Sequence, residues 1–499
     1  MTVARDRPTD EETPLLDERH DKKPQPGPIP WNQFSIVLFL QLAEPLTSQV
    51  IYPFAPQLIR DLGITNGDEA KVGYYVGMMQ SIFFATQAMT VMHWSRVSDY
   101  LGRKPVILTG LFGLSLSMYC FGLSKTFWGL VFSRSLNGAL NGNIGVIKSM
   151  MAELMDSGNL AQAYAYMPIA WSTGGTLGPI IGGVLSRPAE RFPSVFGNSD
   201  FLKEYPYFLP CAVPATFSVL AWLVTLLFLK ETVRNPMPLS SLIATRKSKS
   251  NLALQTVAAS TDPTASSIPS KTASDDYTPL PFRALLTFPV LVSAANYASL
   301  SLVDIAFRAI QPLFLSTPIA LGGLGLPPHR IGAILSAFGI LNGLFQVLWF
   351  AKIHDRWGAK RVFIAGIASA IPVFALFPVI NALARADPGR EGWLVWIAVA
   401  AQVVLSILIS LSYGCIFIFI SGSAPNRASL GATNGLCQMT VSIMRAIGPA
   451  AANSLFSLSI DAEHHYLDGK LVYVVMEVLV CVAVVIGCLL PHRVWTNGV

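Results

Sequence analysis

Charge is what this chain has least of. Asp, Glu, Lys and Arg make up 13% of its 499 residues, against about 25% in soluble globular proteins. A water-soluble fold of this length could not cover its surface with so few charges. Hydrophobic residues reach 52% and mean hydropathy is +0.50, so lipid is the solvent for much of the chain. Cysteine is sparse as well. Cys120, Cys211, Cys415, Cys437, Cys481 and Cys488 all lie in apolar stretches. None forms a Cys-x-x-Cys or Cys/His spacing, so they read as small apolar residues and no metal site is expected. There is no P-loop, no Gly-x-Ser-x-Gly and no His-Glu-x-x-His. These absences argue against an ATP-driven pump and against an enzyme, and no cofactor is expected. No basic run with interleaved aromatics appears, so the formal net charge of +6 reads as a bias of loop Lys and Arg rather than a nucleic-acid surface. The polar start, up to about Pro30, fits no region of a signal peptide.

What is present is a series of apolar runs. A helix needs about 20 residues to cross the hydrocarbon core. Six such runs fall at about 34–57, 73–95, 104–122, 126–148, 161–185 and 207–229. Six more fall at about 284–315, 329–351, 361–382, 392–421, 428–457 and 470–490. The expected architecture is an all-α membrane protein with twelve transmembrane helices in two six-helix bundles. The bundles occupy 31–230 and 283–491, with tails at 1–30 and 492–499. Residues 231–282, rich in Ser, Thr, Pro and Ala, cannot bury enough apolar surface to fold and read as a disordered linker. Two six-helix halves are the plan of parallel-repeat transporters. Lys and Arg placement puts both termini and the linker in the cytoplasm.

The most specific stretch is Trp94-Ser95-Arg96-Val97-Ser98-Asp99-Tyr100-Leu101-Gly102-Arg103-Lys104-Pro105. An acid, a Gly three positions on and then two cations make a tight charged turn between two spans. Gly102 permits a backbone conformation closed to bulkier residues, and Asp99 can face the positive end of a neighbouring helix. Arg103 and Lys104 can anchor at headgroups or pair with an acid. The arrangement recurs at His354-Asp355-Arg356-Trp357-Gly358-Ala359-Lys360-Arg361. Two copies in equivalent loops indicate an internal repeat.

The first stretch resembles the signature loop of the major facilitator superfamily. Leu130-Val131-Phe132-Ser133-Arg134-Ser135-Leu136-Asn137-Gly138 resembles that family's span-four motif, with Arg134 as its membrane arginine. Gly174-Gly175-Thr176-Leu177-Gly178-Pro179-Ile180-Ile181-Gly182-Gly183 resembles its span-five antiporter motif. Glu44-Pro45 followed by Tyr52-Pro53-Phe54 is similar to twelve-span drug:proton antiporters. Ser98-Asp99 to Lys104-Pro105 is similar to zinc-induced-facilitator-like carriers. Two departures stand out: Asn137 replaces a common Gln, and Trp94-Ser95 opens the loop where Gly is common. The resemblance implies that Arg134 couples protonation to solute movement. It also implies that Glu153 pairs with Arg103 as an inner latch favouring the outward-facing state; a solvated loop acid is the alternative for Glu153.

The glycine cluster has its own physics. Gly174, Gly178, Gly182 and Gly183 let helices approach closely, and Gly178-Pro179 removes a backbone donor. The stretch suits a pivot, or ordinary membrane-helix packing; Gly448-Pro449 could be its counterpart. Ionisable groups inside spans are functional candidates by default. Glu44 lies mid-span, where low dielectric favours a neutral acid that can exchange a proton; a structural acid paired to a cation, with Arg134 as one partner, is the other reading. Asp304 and Arg308, four apart, could pair on one helix face, or Asp304 could be a second titrating site. Arg445 could meet an anionic group in a cavity, or pair with Glu44 or Asp304. His464 and His465, near Asp461, Glu463 and Asp468, read as a polar loop. Glu11-Glu12-Thr13-Pro14-Leu15-Leu16 resembles an acidic dileucine signal for a vacuole or lysosome; a plasma-membrane location is the other expectation.

The expected function is a monomeric, proton-coupled secondary transporter of a small solute, working by alternating access and leaning towards export. Its expected partners are the bilayer, protons and the solute. An uncoupled facilitator, or a non-transporting sensor on the same fold, is the alternative.

Overall fold

The computed structural model describes residues 29–155, 160–233, 282–386, 392–425, 429–461 and 466–495. The expected N-terminal tail and linker fall almost wholly outside these residues, as do the dileucine stretch and His464 and His465; of the expected tail at 492–499, residues 492–495 are described, with Trp495 packed on Phe419 of the second half. Helices are the regular secondary structure of the described residues. The first set comprises α1, in three pieces (Trp31–Gln41, Ala43–Gln49 and Ala55–Asp61), α2 (Glu69–Leu101), α3 (Arg103–Gly122), α4, in two pieces (Phe127–Leu140 and Asn143–Leu154), α5 (Leu160–Leu185) and α6 (Phe208–Phe228). The second comprises α7 (Phe288–Ser316), α8 (Pro328–Trp357), α9, in two pieces (Ala359–Ala368 and Ala370–Ala386), α10 (Trp393–Ser423), α11 (Leu430–Ser459) and α12 (Leu471–Cys488).

Among the described residues, seven helices are long and apolar enough to cross a membrane by themselves: α3, α6, α7, α8, α9, α10 and α12. Of the remaining passages, α1, α2, α4 and α11 have identifiable reasons for falling short. Proline removes a backbone donor, and α1 is broken beside Pro45 and again at Pro53. The pair Asn141-Gly142 interrupts α4, where Asn141 leaves helical geometry with φ −83° and ψ 72°. The helices α2 and α11 carry polar and small residues along a face turned to protein rather than lipid.

That face decides how the halves meet. The two seams run α2 against α11 and α5 against α8. Small residues line both, as membrane helices need for close approach. A Cβ on Gly77 would stand 2.8 Å from the Pro449 carbonyl oxygen, and one on Gly183 would stand 2.7 Å from that of Pro328. Hydrogen bonds cross the seams: Ala450 N donates to Ser81 Oγ at 2.8 Å, Ser336 Oγ to the Thr176 carbonyl at 2.8 Å, and Ser172 Oγ to the Gly339 carbonyl at 3.1 Å. At the far end Arg60, paired with Glu69, donates to the Ser316 carbonyl at 3.2 Å. Towards the turns at Gly102 and Gly358 the same faces are bare. Val347, one helical turn beyond Gly343, is 74% exposed. Gly435 shares a face of α11 with Asn453 and has open space above it. The halves therefore meet at one end and part at the end bearing the charged turns.

Candidate functional site

Two groups of residues stand out: the charged turns at the open end, and the ionisable side chains deep in the parting. The first turn is built around Gly102, at φ +104°, between α2 and α3. Its partner Gly358 sits at φ +77° between α8 and α9. Both conformations favour glycine. Arg103 is 9% exposed. Its Nη2 pairs with Glu153 Oε1 at 2.9 Å and its Nη1 donates to Ser98 Oγ at 2.6 Å. This pair joins α3 to α4 inside one half and is intact where the halves part. The pair expected between Arg103 and Glu153 is thus formed. The side chain of Asp99 lies outside the described set.

Sequence reasoning missed Glu231, just beyond α6. Its carboxylate accepts from the backbone N–H of Arg103 at 2.8 Å and of Lys104 at 3.0 Å. It thus caps the positive end of α3. A Cβ on Gly102 would lie 2.5 Å from that carboxylate, so the glycine is needed twice over. Thr232 Oγ1 donates to Glu153 Oε2 at 2.5 Å. An acid directly after an apolar run, one residue past Lys230, was the available signal. Lys104 Nζ donates to the Leu226 carbonyl at 2.9 Å, at the end of α6. In the second half Lys360 repeats this contact on Cys488 at the end of α12, at 2.8 Å. Asp355 is exposed and touches His354 at 3.2 Å, and Arg361 is exposed.

The glycine stretch of α5 has two working faces. Gly174, Gly178 and Gly182 lie on α1, where a Cβ at Gly182 would stand 1.9 Å from the Val50 carbonyl oxygen. Pro179 and Gly183 lie on Gly332 of α8. One helix thus touches its own half on one face and the opposite half on the other.

The deep site gathers Glu44, Arg134 and Lys148 from the first half with Asp304, Arg308 and Arg445 from the second. Glu44 follows the break at Leu42, and Asn141, at the α4 break, donates Nδ2 to Glu44 Oε1 at 3.0 Å. Gln87 is a further hydrogen-bonding neighbour of Glu44, and the cations in its field are Arg445 and Lys148. Arg134 is not its partner. The Arg134 guanidinium lies 4.7 Å over the Phe83 ring, and its Nε and Nη1 have no hydrogen-bond partner. Parallel packing of α2 and α4 sets it there, one turn before Gly138, whose Cβ would meet the Phe83 carbonyl.

Asp304 and Arg308 do pair. Arg308 Nε lies 3.0 Å from both Asp304 oxygens, and Tyr413 of α10 donates to Asp304 Oδ2 at 3.0 Å. Arg445 Nε donates to Ser301 Oγ at 3.2 Å. Among the described ion pairs it bonds neither Glu44 nor Asp304, although its charge acts on both. Arg308 keeps 29% of its side chain exposed, and Glu44, Lys148 and Arg445 are likewise partly accessible. Deep charged groups that water still reaches are the walls of a cleft.

Lys148 was not singled out from sequence, because it falls at the edge of an apolar run. Asn141 could have been found: an Asn-Gly pair inside a span signals a helix break. The same break accounts for Trp94. Its indole Nε1 donates to the Ala139 carbonyl at 2.7 Å, an acceptor the break sets free. Gly142 makes room for it, since a Cβ there would stand 2.3 Å from that of Trp94. Among the described residues no three His, Cys, Asp or Glu side chains gather as metal ligands, and all six cysteines are free.

Comparison with known proteins places this arrangement. The chain is 30% identical to Protein ZINC INDUCED FACILITATOR-LIKE 1 of Arabidopsis thaliana, covering 91% of this chain and 90% of that protein. It is 29% identical to the Major facilitator-type transporter psiT2 of Psilocybe cyanescens, over 92% of this chain and 90% of that one. A multidrug transporter, mfsB of Aspergillus fumigatus, is 27% identical, over 87% and 80%. In fold, a D-xylose-proton symporter matches with a TM-score of 0.64 at 13% identity, covering 93% of this chain and 99% of the other. A bacterial homologue of the lysosomal transporter Spinster, crystallised inward-facing, matches with a TM-score of 0.62 at 14% identity, over 91% and 95%. The sequence profile of the Major Facilitator Superfamily matches residues 37–449. Two helical halves, paired charged turns and a charged cleft between them are those of a multi-pass membrane transporter, and the chain belongs to the Major Facilitator Superfamily.

Proposed function

We propose that this transporter couples the export of a small solute to protons, with Glu44 as the group that takes up and releases the proton. The observation that carries this reading is the setting of Glu44. It sits beside a helix break, bonded to Asn141 at 3.0 Å, at the wall of the cleft and within the field of Arg445 from the other half. Ionised, Glu44 attracts Arg445 across the parting; protonated, it does not. A proton thereby biases the balance between two arrangements of the halves, as alternating access requires. The seam glycines of α5 serve as the pivot. The first charged turn, stiffened by Arg103, Glu153 and Glu231, keeps its end of the first half rigid while the halves rock.

The termini and charged turns lie in the cytoplasm, so the arrangement described is open inward. The acidic dileucine stretch favours a vacuolar or lysosomal membrane over the plasma membrane. Relatives named as an efflux pump, azaK of Aspergillus niger at 28% identity, and as the multidrug transporter mfsB support the export direction. Cells expressing the wild type or Glu44→Gln should be grown against a panel of toxic compounds, with and without a proton uncoupler. Wild-type protection should vanish with the uncoupler, and the variant, present at normal membrane levels, should protect no better than empty cells. Full uncoupler-sensitive protection by Glu44→Gln would remove Glu44 from the mechanism.

A further inference from the structure

A buried cation needs a counter-charge, and the described residues supply none to Arg134. It is 4% exposed. No acid lies within ion-pair distance among the described residues; the titratable groups in its field are Tyr52 and Cys211, both neutral at physiological pH. Its aromatic contact with Phe83 offsets part of the desolvation, but Nε and Nη1 stay unbonded. The side chains around it are in the same condition. Gln80, on the α2 face that also carries Phe83, is 3% exposed, with both amide atoms unpartnered. Asn137, one turn along α4, is 2% exposed with a free Oδ1. Native interiors rarely leave such a group of donors and acceptors unmet, and an uncompensated buried guanidinium is costlier still.

The wider field has the same sign. Arg134 and Gln80 lie two turns along the same faces of α4 and α2 that carry Asn141 and Gln87, the neighbours of Glu44, so Arg134 stands at the margin of the cleft where the halves face each other. Lys148, Arg308, Arg445 and Glu44 line that cleft, with Arg134 and Asp304 buried at its margin. Asp304 is already taken by Arg308 and Tyr413, and Glu44 is bonded to Asn141.

We propose that the transported solute carries an anionic group, a carboxylate, sulfonate or phosphate, which docks on Arg134 with Gln80 beside it. The inference names the solute class of the transport reading above and rests on it. Arg134 supplies donors suited to a planar or tetrahedral oxyanion, and Gln80 adds an amide N–H. Glu44 is not used up by this contact, so the proton and the anion occupy separate places in the cleft. A neutral or cationic solute would leave the guanidinium unpaired and add to the positive field.

The test uses the whole chain in lipid nanodiscs and reads its thermal midpoint. The probes are 4-phenylbutyrate, phenyl phosphate and naphthalene sulfonate, set against 4-phenylbutanol and 4-phenylbutylamine. At least one anion should raise the midpoint by several degrees, while the alcohol and the amine leave it unchanged. Arg134→Gln should lose the response, Arg134→Lys should keep part of it, and Lys203→Gln, on the exposed short helix Asp200–Glu204, should keep all of it. A response to the amine or the alcohol, no response to any anion, or an undiminished response in Arg134→Gln would overturn the proposal. Sodium chloride alone matching the organic anions at the same concentration would also overturn it, by assigning Arg134 to a resident ion. Glu44→Gln should keep the anion response, because Glu44 is no part of the docking site; the proton reading fails instead on the uncoupler assay, so the two ideas fail separately.

Discussion

The two charged turns differ more than their matching sequences suggest. Each has an acid, a glycine three residues on and a lysine two residues after that. In each the lysine, Lys104 or Lys360, bonds a carbonyl at the end of the last helix of its own half. There the likeness stops. Position 103 holds an arginine tied to Glu153 and Ser98, and the matching position 359 holds an alanine that is 8% exposed. Glu231 caps the start of α3; past α12 the chain runs Leu490-Pro491-His492-Arg493, with no acid. A repeat can thus keep its backbone turn and its helix-end lysine while only one copy is locked by charge. The unlocked copy is free to shift against its neighbours; the locked one holds α3, α4 and the exit of α6 together.

Substitutions can break that contrast, and chemical unfolding in mixed micelles reads them on one scale. The largest effect should come from Ala359→Arg, which puts a cation into the alanine site with no Glu153 to meet it, at a cost of about 3 kcal/mol. Arg103→Ala should cost about 2 kcal/mol, because it removes a charged hydrogen-bond pair and a bond to Ser98. Glu231→Gln should cost about 1 kcal/mol, since the amide oxygen still accepts one N–H while the charge facing the helix end is lost. Lys104→Met and Lys360→Met should cost about 0.5 kcal/mol each and match one another. If Ala359→Arg is tolerated as well as the wild type, or the two lysine variants differ widely, the contrast between locked and unlocked turns is wrong.

Much of the fold was legible because lipid imposes a simple rule. Twelve apolar runs of bilayer length stand out against so low a charge density, and their ends in the structure lie close to where hydropathy put them. The breaks in α1 and α4 were harder to see. Pro45, Pro53 and Asn141-Gly142 sit inside runs that remain apolar on average, and length alone hides an interruption. The Asp304–Arg308 pair followed from spacing on one helix. The surroundings of Glu44 did not, because Asn141, Lys148 and Arg445 come from different helices. Trp94 looked like a departure from the family pattern, and only its contact with the Ala139 carbonyl gives the reason.

The central claim is that the proton state of Glu44 sets how far the halves part at the open end. Spin labels carried on unnatural amino acids at Tyr100 of α2 and Gly435 of α11, both unobstructed, would report that opening by pulsed dipolar distance measurement. In the wild type, acidification from alkaline to mildly acidic pH should shift the distances longer as Arg445 loses its attraction to Glu44. Glu44→Gln should show the long distribution at both pH values. A Glu44→Gln variant whose distances respond to pH as the wild type's do would contradict the account.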